Sequence, residues 1–162
     1  MPTEIQRIED QLRRAFEREA WHGPAVLETL EGVTAAQAHA RPIAGAHSVW
    51  EIVLHLTGTY RLVLRRLRGD DSPLTPAEDW PVVPAPTEEG WREAVRTLRG
   101  LNEEMRAAVR AFPADRLDQP LVTSTTPDRP AAPYPAYTQF IGITQHDLYH
   151  AGQISLLKRA LG

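Results

Sequence analysis

The chain contains no cysteine. That excludes disulfide staples, thiolate metal ligands and a cysteine nucleophile: a metal site must be built from histidine, carboxylate and water, and thiol chemistry must use a sulfur brought in by a substrate. Lysine is almost as scarce, Lys158 being the only one. The arginines are interspersed with acidic residues and the formal net charge is -3. With no basic field to neutralise phosphates, nucleic acid is not expected as a partner. Long apolar runs are missing too. The opening "MPTEIQRIEDQLRR" has no apolar stretch of the secretory kind, and no later segment approaches a membrane span. The expectation is a soluble cytoplasmic protein with no membrane partner. Its 162 residues are read as a single domain over 1–162, large enough to bury a core without a metal to hold it together.

What is present is helical periodicity, and no segment reads as a strand. Ile5, Ile8, Leu12 and Phe16 recur at three and four residues behind a Thr3 and Gln6 capping box. Val26, Leu27 and Leu30 resume the stripe beyond Gly23 and Pro24, so the reading there is a kinked or restarted helix rather than a true end. Thr34 with Gln37 opens a short helical turn before Pro42. Ser48 and Glu51 cap a second long helix, expected to run to about Arg68, where Gly69 stops it. Residues 70–86, with "DSPLTPAEDWPVVPAP", are too rich in proline for regular helix. Thr87 caps a third helix carrying Trp91, Val95, Leu98, Met105 and Val109, and Pro113 ends it. After a second long connection, "DRLDQPLVTSTTPDRPAAPYP", a fourth helix opens near Pro135 to Thr138 and runs to the last residues. The expected fold is all-α, a four-helix bundle with long proline-rich connections between helices 2 and 3 and between helices 3 and 4. Loops of that length shape a pocket mouth.

The closing stretch "QHDLYHAGQISLLKRALG" sets two histidines four residues apart. Four residues advance a helix by one turn and about 40°, so His146 and His150 can aim at one point. With His146 at zero, Ile143, Ile154, Leu157 and Leu161 fall within roughly 80° of it, and the pair therefore faces the core. His55 stands on the flank of the second helix's apolar stripe, among Val49, Ile52, Thr59 and Val63. Three imidazoles from two helices can then hold a cation and leave a fourth tetrahedral position open, which separates a catalytic site from a closed structural one. With six histidines in the chain, a pair at this spacing arises by chance in roughly one sequence in five. The pair alone decides nothing. Histidines satisfied within the core are the competing reading, and the third inward imidazole favours the metal.

Other polar residues have weaker claims. His22, beside Gly23 and Pro24 in "EAWHGP", is a candidate for lining the pocket or orienting a ligand, against a histidine hydrogen-bonded at a kink. Asp147 points about 100° away from His146, and is read as a partner for a neighbouring helix or an orienter of an imidazole rather than a ligand. The capping position of Glu51 already explains it. His39 and His47 read as having no direct role. Glu19 with His22 repeats half of a dinuclear Glu-x-x-His motif, but the second copy is missing.

The strings "AWHGPAVLETLEGVTAAQAHARPIAGAHSVWEIVLHLTGTY" and "HDLYHAGQISLLKRAL", in that order, resemble the DinB-like (DinB/YfiT) metalloenzyme family, in its DinB_2-type branch. The resemblance covers nearly the whole chain, leaving the proline-rich loops without a family signal. It implies a four-helix bundle of up-down-down-up topology with a divalent metal held by three histidines. His55 of "WEIVLHL" matches the helix-two ligand, and His146 and His150 of "HDLYHAGQI" match the helix-four pair. It further implies zinc first, with nickel or iron as alternatives, a homodimer, and a thiol-dependent S-transferase drawing on bacillithiol, mycothiol or glutathione as the small-molecule thiol. On that reading a cation with an open position ionises the thiol, which attacks an electrophile. The alternatives are a metal-dependent hydrolase with His22 or a carboxylate as proton shuttle, and a non-catalytic, dimeric metal-binding protein of the stress-response kind.

Overall fold

The computed structural model describes residues 1–122 and 134–162. Among them the regular structure is helical: α1 (Glu4–Phe16), α2 (Val26–Leu30), α3 (Ala35–His39), α4 (Val49–Leu67), α5 (Pro76–Asp79), α6 (Glu88–Ala111) and α7 (Ala136–Ala160). Much of the second long connection, residues 123–133, lies outside the described residues. Among the described residues no helix is long and apolar enough to cross a membrane.

Local chemistry sets most helix starts. Thr3 Oγ1 accepts from the Gln6 N–H at 3.2 Å while Gln6 Oε1 accepts from the Thr3 N–H at 2.8 Å. Ser48 and Glu51 make the same reciprocal pair at 3.2 and 2.7 Å. Each cap satisfies N–H groups the first helical turn leaves orphaned, for about 1 kcal/mol. α4 ends where Gly69 enters the left-handed region at φ +88°, a conformation open to glycine at no steric cost.

Two expectations need correction. Of the kinked and the restarted helix, the structure has the restart, but after a true end: α1 stops at Phe16 and α2 begins at Val26. Glu19 takes φ +66° and Gly23 φ +137°, neither of which a helix can pass through. Arg13 and Arg14 hold the turn, one donating to the Glu19 carboxylate and the other to its carbonyl, both at 3.2 Å. Within the stretch 70–86, α5 makes one helical turn. Pro76 occupies its first position, where the missing N–H loses nothing. Thr75 and Glu78 cap it reciprocally at 3.2 and 2.8 Å.

α1 and α4 each pack against both α6 and α7. The core between them holds Leu12, Phe16, Trp50, Leu56, Leu98, Met105, Phe140 and Ile154, all fully buried, at roughly 1.5–3 kcal/mol for each large side chain removed from water. One polar chain crosses this core. Asn102 Nδ2 of α6 donates to the Tyr60 hydroxyl of α4 at 2.8 Å, and that hydroxyl donates to Asp147 Oδ2 of α7 at 2.6 Å. α7 is tied at both ends. Its Ala136 and Tyr137 N–H groups donate to the carbonyls of Gln119 and Leu117 at 2.8 and 2.9 Å, and the Lys158 ammonium donates to the carbonyls of Thr29 and Glu31 at the end of α2. The lone lysine thus has a structural role that composition did not reveal.

Candidate metal centre

His55 comes from α4, His146 and His150 from α7, and the three rings meet. Their ligand-capable nitrogens all lie within 4.8 Å of one another. His146 Nε2 is 3.0 Å from His55 Nε2 and 3.1 Å from His150 Nε2. Nitrogens bound at about 2.0–2.1 Å lie about 2.9 Å apart at a right-angled facial site and about 3.3 Å apart at a tetrahedral one. Both separations from His146 fall between these, and with all three ligand nitrogens within 4.8 Å of one another the cluster is compatible with one small divalent ion.

The opposite ring nitrogens settle which lone pairs face inward. His55 Nδ1 lies 2.9 Å from the Asp79 carbonyl oxygen and 3.0 Å from Asp79 Oδ1. A carbonyl only accepts, so Nδ1 carries the proton and Nε2 presents its lone pair. His150 Nδ1 lies 2.7 Å from Gln153 Oε1, and donation there leaves its Nε2 bare in the same way. Both bare nitrogens face His146 Nε2, which can donate to one of them at most. Without a further partner at least one buried acceptor stays unsatisfied, at about 1–3 kcal/mol. A shared cation resolves the conflict, and outer acceptors on ligating histidines are what a metal site requires to fix ring orientation.

Electrostatics agree with that geometry. Burial, then the charges His150 and His55 would carry, push His146 down to about 3. Burial pushes His150 down to about 4, against the raising effect of its bond to Gln153. Both are therefore neutral imidazoles at neutral pH, the form able to ligate a cation. His55 and His150 are 9% and 4% exposed, whereas His146 is only partly buried. The cluster accordingly opens past His146.

Trp80, directly after α5, stacks on His55 with ring centroids 4.1 Å apart and planes within 1°. It stacks on His47 as well, at 3.6 Å and 9°. His47 is thus an outer member of the same aromatic stack, a place its spacing gave no hint of. His39 is exposed on α3.

Neither accessory candidate reaches the three imidazoles. His22 is exposed and lines a cavity of about 520 Å³ between the end of α1 and Thr144 and Leu148 of α7, whose walls include none of the cluster histidines. Asp147 is fully buried and bonds Tyr60 across the helix boundary. Of its two readings, partner of a neighbouring helix is the one observed. Burial raises its carboxyl to about 7, the Tyr60 bond opposing. A cavity of about 800 Å³ between α4, α6 and residues 70–81 also contains none of the three rings, and its chemistry gives it no claim on the site. The residues that sequence reasoning missed are Asp79, Trp80 and Gln153. Gln153, one turn beyond His150, was legible from helical spacing; the other two depend on how a loop folds back.

No curated protein and no solved structure matches the chain. The family described as the DinB superfamily matches residues 19–154, a span that contains all three imidazoles together with Asp79 and Gln153, and the chain belongs to that superfamily.

Proposed function

We propose that His55, His146 and His150 hold one divalent cation, and that the protein is an S-transferase in which a small thiol loses its proton and is joined, intact and through its sulfur, to an electrophile. The observation that supports it is the convergence of three Nε2 atoms, two of which have their opposite nitrogen committed to an acceptor. A bound cation with an open position supplies the Lewis acidity that keeps a thiol ionised at neutral pH. The chain's own residues do the rest. Asp79 and Gln153 hold two rings in register, Trp80 covers the flank of His55 against water, and the partly buried edge at His146 admits small molecules. Zinc is proposed first; nickel and iron suit the same imidazole donors. The absence of cysteine supports an external sulfur of the bacillithiol, mycothiol or glutathione class, since no internal thiol competes for the ion.

The proposal extends to a cytoplasmic homodimer, where small thiols are kept reduced. Tyr149 and Leu156, seven residues apart on α7 and 66% and 57% exposed, support self-association. It extends also to the up-down-down-up path. Residues 68–87 between α4 and α6 can span roughly 65 Å when extended, ample to run the roughly 28 Å length of α4, as parallel α4 and α6 require. Hydrolysis ranks second because the carboxylate found at the cluster, Asp79, is engaged with His55.

The test is to load the protein with cobalt or nickel, add a small thiol and follow the visible and near-ultraviolet spectrum. A sulfur-to-metal charge-transfer band is expected. A loaded protein whose spectrum ignores the thiol refutes the transferase and favours a hydrolase or a non-catalytic metal-binding scaffold.

A further inference from the structure

We infer that Gly58 is a positioning residue for the histidine cluster: its missing side chain lets α5 seat on α4, and that seat places Asp79 and Trp80 against His55. The inference rests on the metal reading above. Gly58 is buried in the middle of α4, where helix propensity alone disfavours glycine by about 1 kcal/mol relative to alanine. A Cβ built there meets the Glu78 carbonyl oxygen at 2.5 Å, its carbonyl carbon at 3.5 Å and Leu74 Cδ1 at 3.8 Å. The first obstacle is backbone, so no rotamer change relieves it. Restoring ordinary contact requires α5 to retreat by roughly 0.9 Å.

Asp79 follows Glu78 directly and shares its helical turn. It supplies the carbonyl that accepts the His55 Nδ1 proton at 2.9 Å and a carboxylate oxygen 3.0 Å from the same nitrogen. A retreat of that size takes both beyond the roughly 3.2 Å limit of a good N–H···O bond. It also carries Trp80 off the ring it stacks on. His55 then loses the contacts that fix its tautomer and plane, and loss of such outer partners typically weakens metal affinity about 10–100-fold. The other side of the seat is held by Glu78, whose carboxylate accepts from the Thr75 N–H at 2.8 Å and from Arg65 at 3.3 Å.

The experiment is a cobalt titration of the full-length wild-type protein and of Gly58→Ala, Glu78→Ala and Gly100→Ala, followed in the visible spectrum with far-ultraviolet circular dichroism alongside. Gly100 is the control, a glycine inside α6 whose added Cβ meets nothing within 4 Å. The expected result is about 10–100-fold weaker cobalt binding with altered ligand-field bands for Gly58→Ala. Glu78→Ala should bind several-fold more weakly, Gly100→Ala like wild type, and helical content should hold throughout. Glu78 lies on an exposed turn, so its variant carries the test even if Gly58→Ala does not fold; wild-type affinity and bands in Glu78→Ala overturn the inference in that event. A folded Gly58→Ala with wild-type affinity and bands overturns it and leaves the metal reading standing. A wild-type protein that takes up no cobalt overturns both.

Discussion

Replacing Tyr60 with phenylalanine removes one oxygen from the centre of the molecule. That oxygen is the hub of the polar chain across the core, accepting from Asn102 Nδ2 at 2.8 Å and donating to Asp147 Oδ2 at 2.6 Å. Asn102 Oδ1 and Asp147 Oδ1 already have no hydrogen-bond partner among the described residues. Tyr60→Phe therefore leaves a buried carboxyl and a buried amide with nothing to bond. Each stranded group costs about 1–3 kcal/mol, which gives a loss of about 4 kcal/mol. That is a large share of the roughly 5–15 kcal/mol by which domains are stable, and for this length it lowers Tm by roughly 8–16 °C. The assay is urea unfolding with a chelator present, so that metal linkage does not enter, at unchanged m-value. Pairing the substitution with Asn102→Leu should give a double variant better than additive by about 1 kcal/mol, because the amide that Tyr60→Phe strands is gone. A loss below about 1 kcal/mol, or strict additivity, refutes the reasoning.

Three further outcomes follow. His150→Ala should abolish stoichiometric metal uptake while helical content stays, and His39→Ala should change neither; elemental analysis of untagged protein checks both. Zinc at about 100 times its dissociation constant should stabilise the wild-type fold by about 2.7 kcal/mol, and calorimetry showing no rise in Tm would contradict binding to the native state. The Arg14 guanidinium, with Arg13, holds the Asp10 carboxyl below its ordinary 3.8 despite some burial. A lowered carboxylate stabilises the fold in full above its ordinary value, and the contribution disappears as pH falls through the depressed one. Because the pair is well exposed, Asp10→Asn should lose under about 1 kcal/mol at pH 7; the same loss at a pH below the depressed value, by urea unfolding, would count against the assignment.

What was legible in the sequence is what local geometry encodes. Caps at Thr3, Ser48 and Thr87 are decided within four residues, and each is found with its side-chain oxygen on the expected N–H. The meeting of His55, His146 and His150 needed only helical phase and two helices in contact. Periodicity failed where it was asked to report continuity. The apolar stripe resumes at Val26 in phase with a core, but a stripe does not record whether the chain between stays helical, and Glu19 at φ +66° shows that it does not. Proline density misled in the opposite direction. The Thr75, Pro76, Glu78 pattern is itself a helix start, and the four other prolines of the stretch do not cancel it. Asp79 and Gly58 were out of reach because their meaning lies in a contact formed only when residues 70–81 close back over α4.

α7 shows how such constraints combine. His146 and His150 share one edge of the helix and Asp147 stands about 100° away, yet both edges are received by the same neighbour, α4, through His55 and Tyr60. Turning α7 by one residue's worth of angle in one sense would bring His146 toward the Tyr60 hydroxyl, and in the other would bring Asp147 toward His55; either turn parts Tyr60 from Asp147 and His55 from His146. Apolar packing also opposes so large a turn, since Phe140, Ile143, Ile154 and Leu157 would leave the core, but it tolerates small offsets that keep them buried. A buried directional bond does not. We therefore read the chain Asn102, Tyr60, Asp147 as a rotational lock: it sets the phase of α7 against α4, and the three imidazoles converge because that phase is fixed.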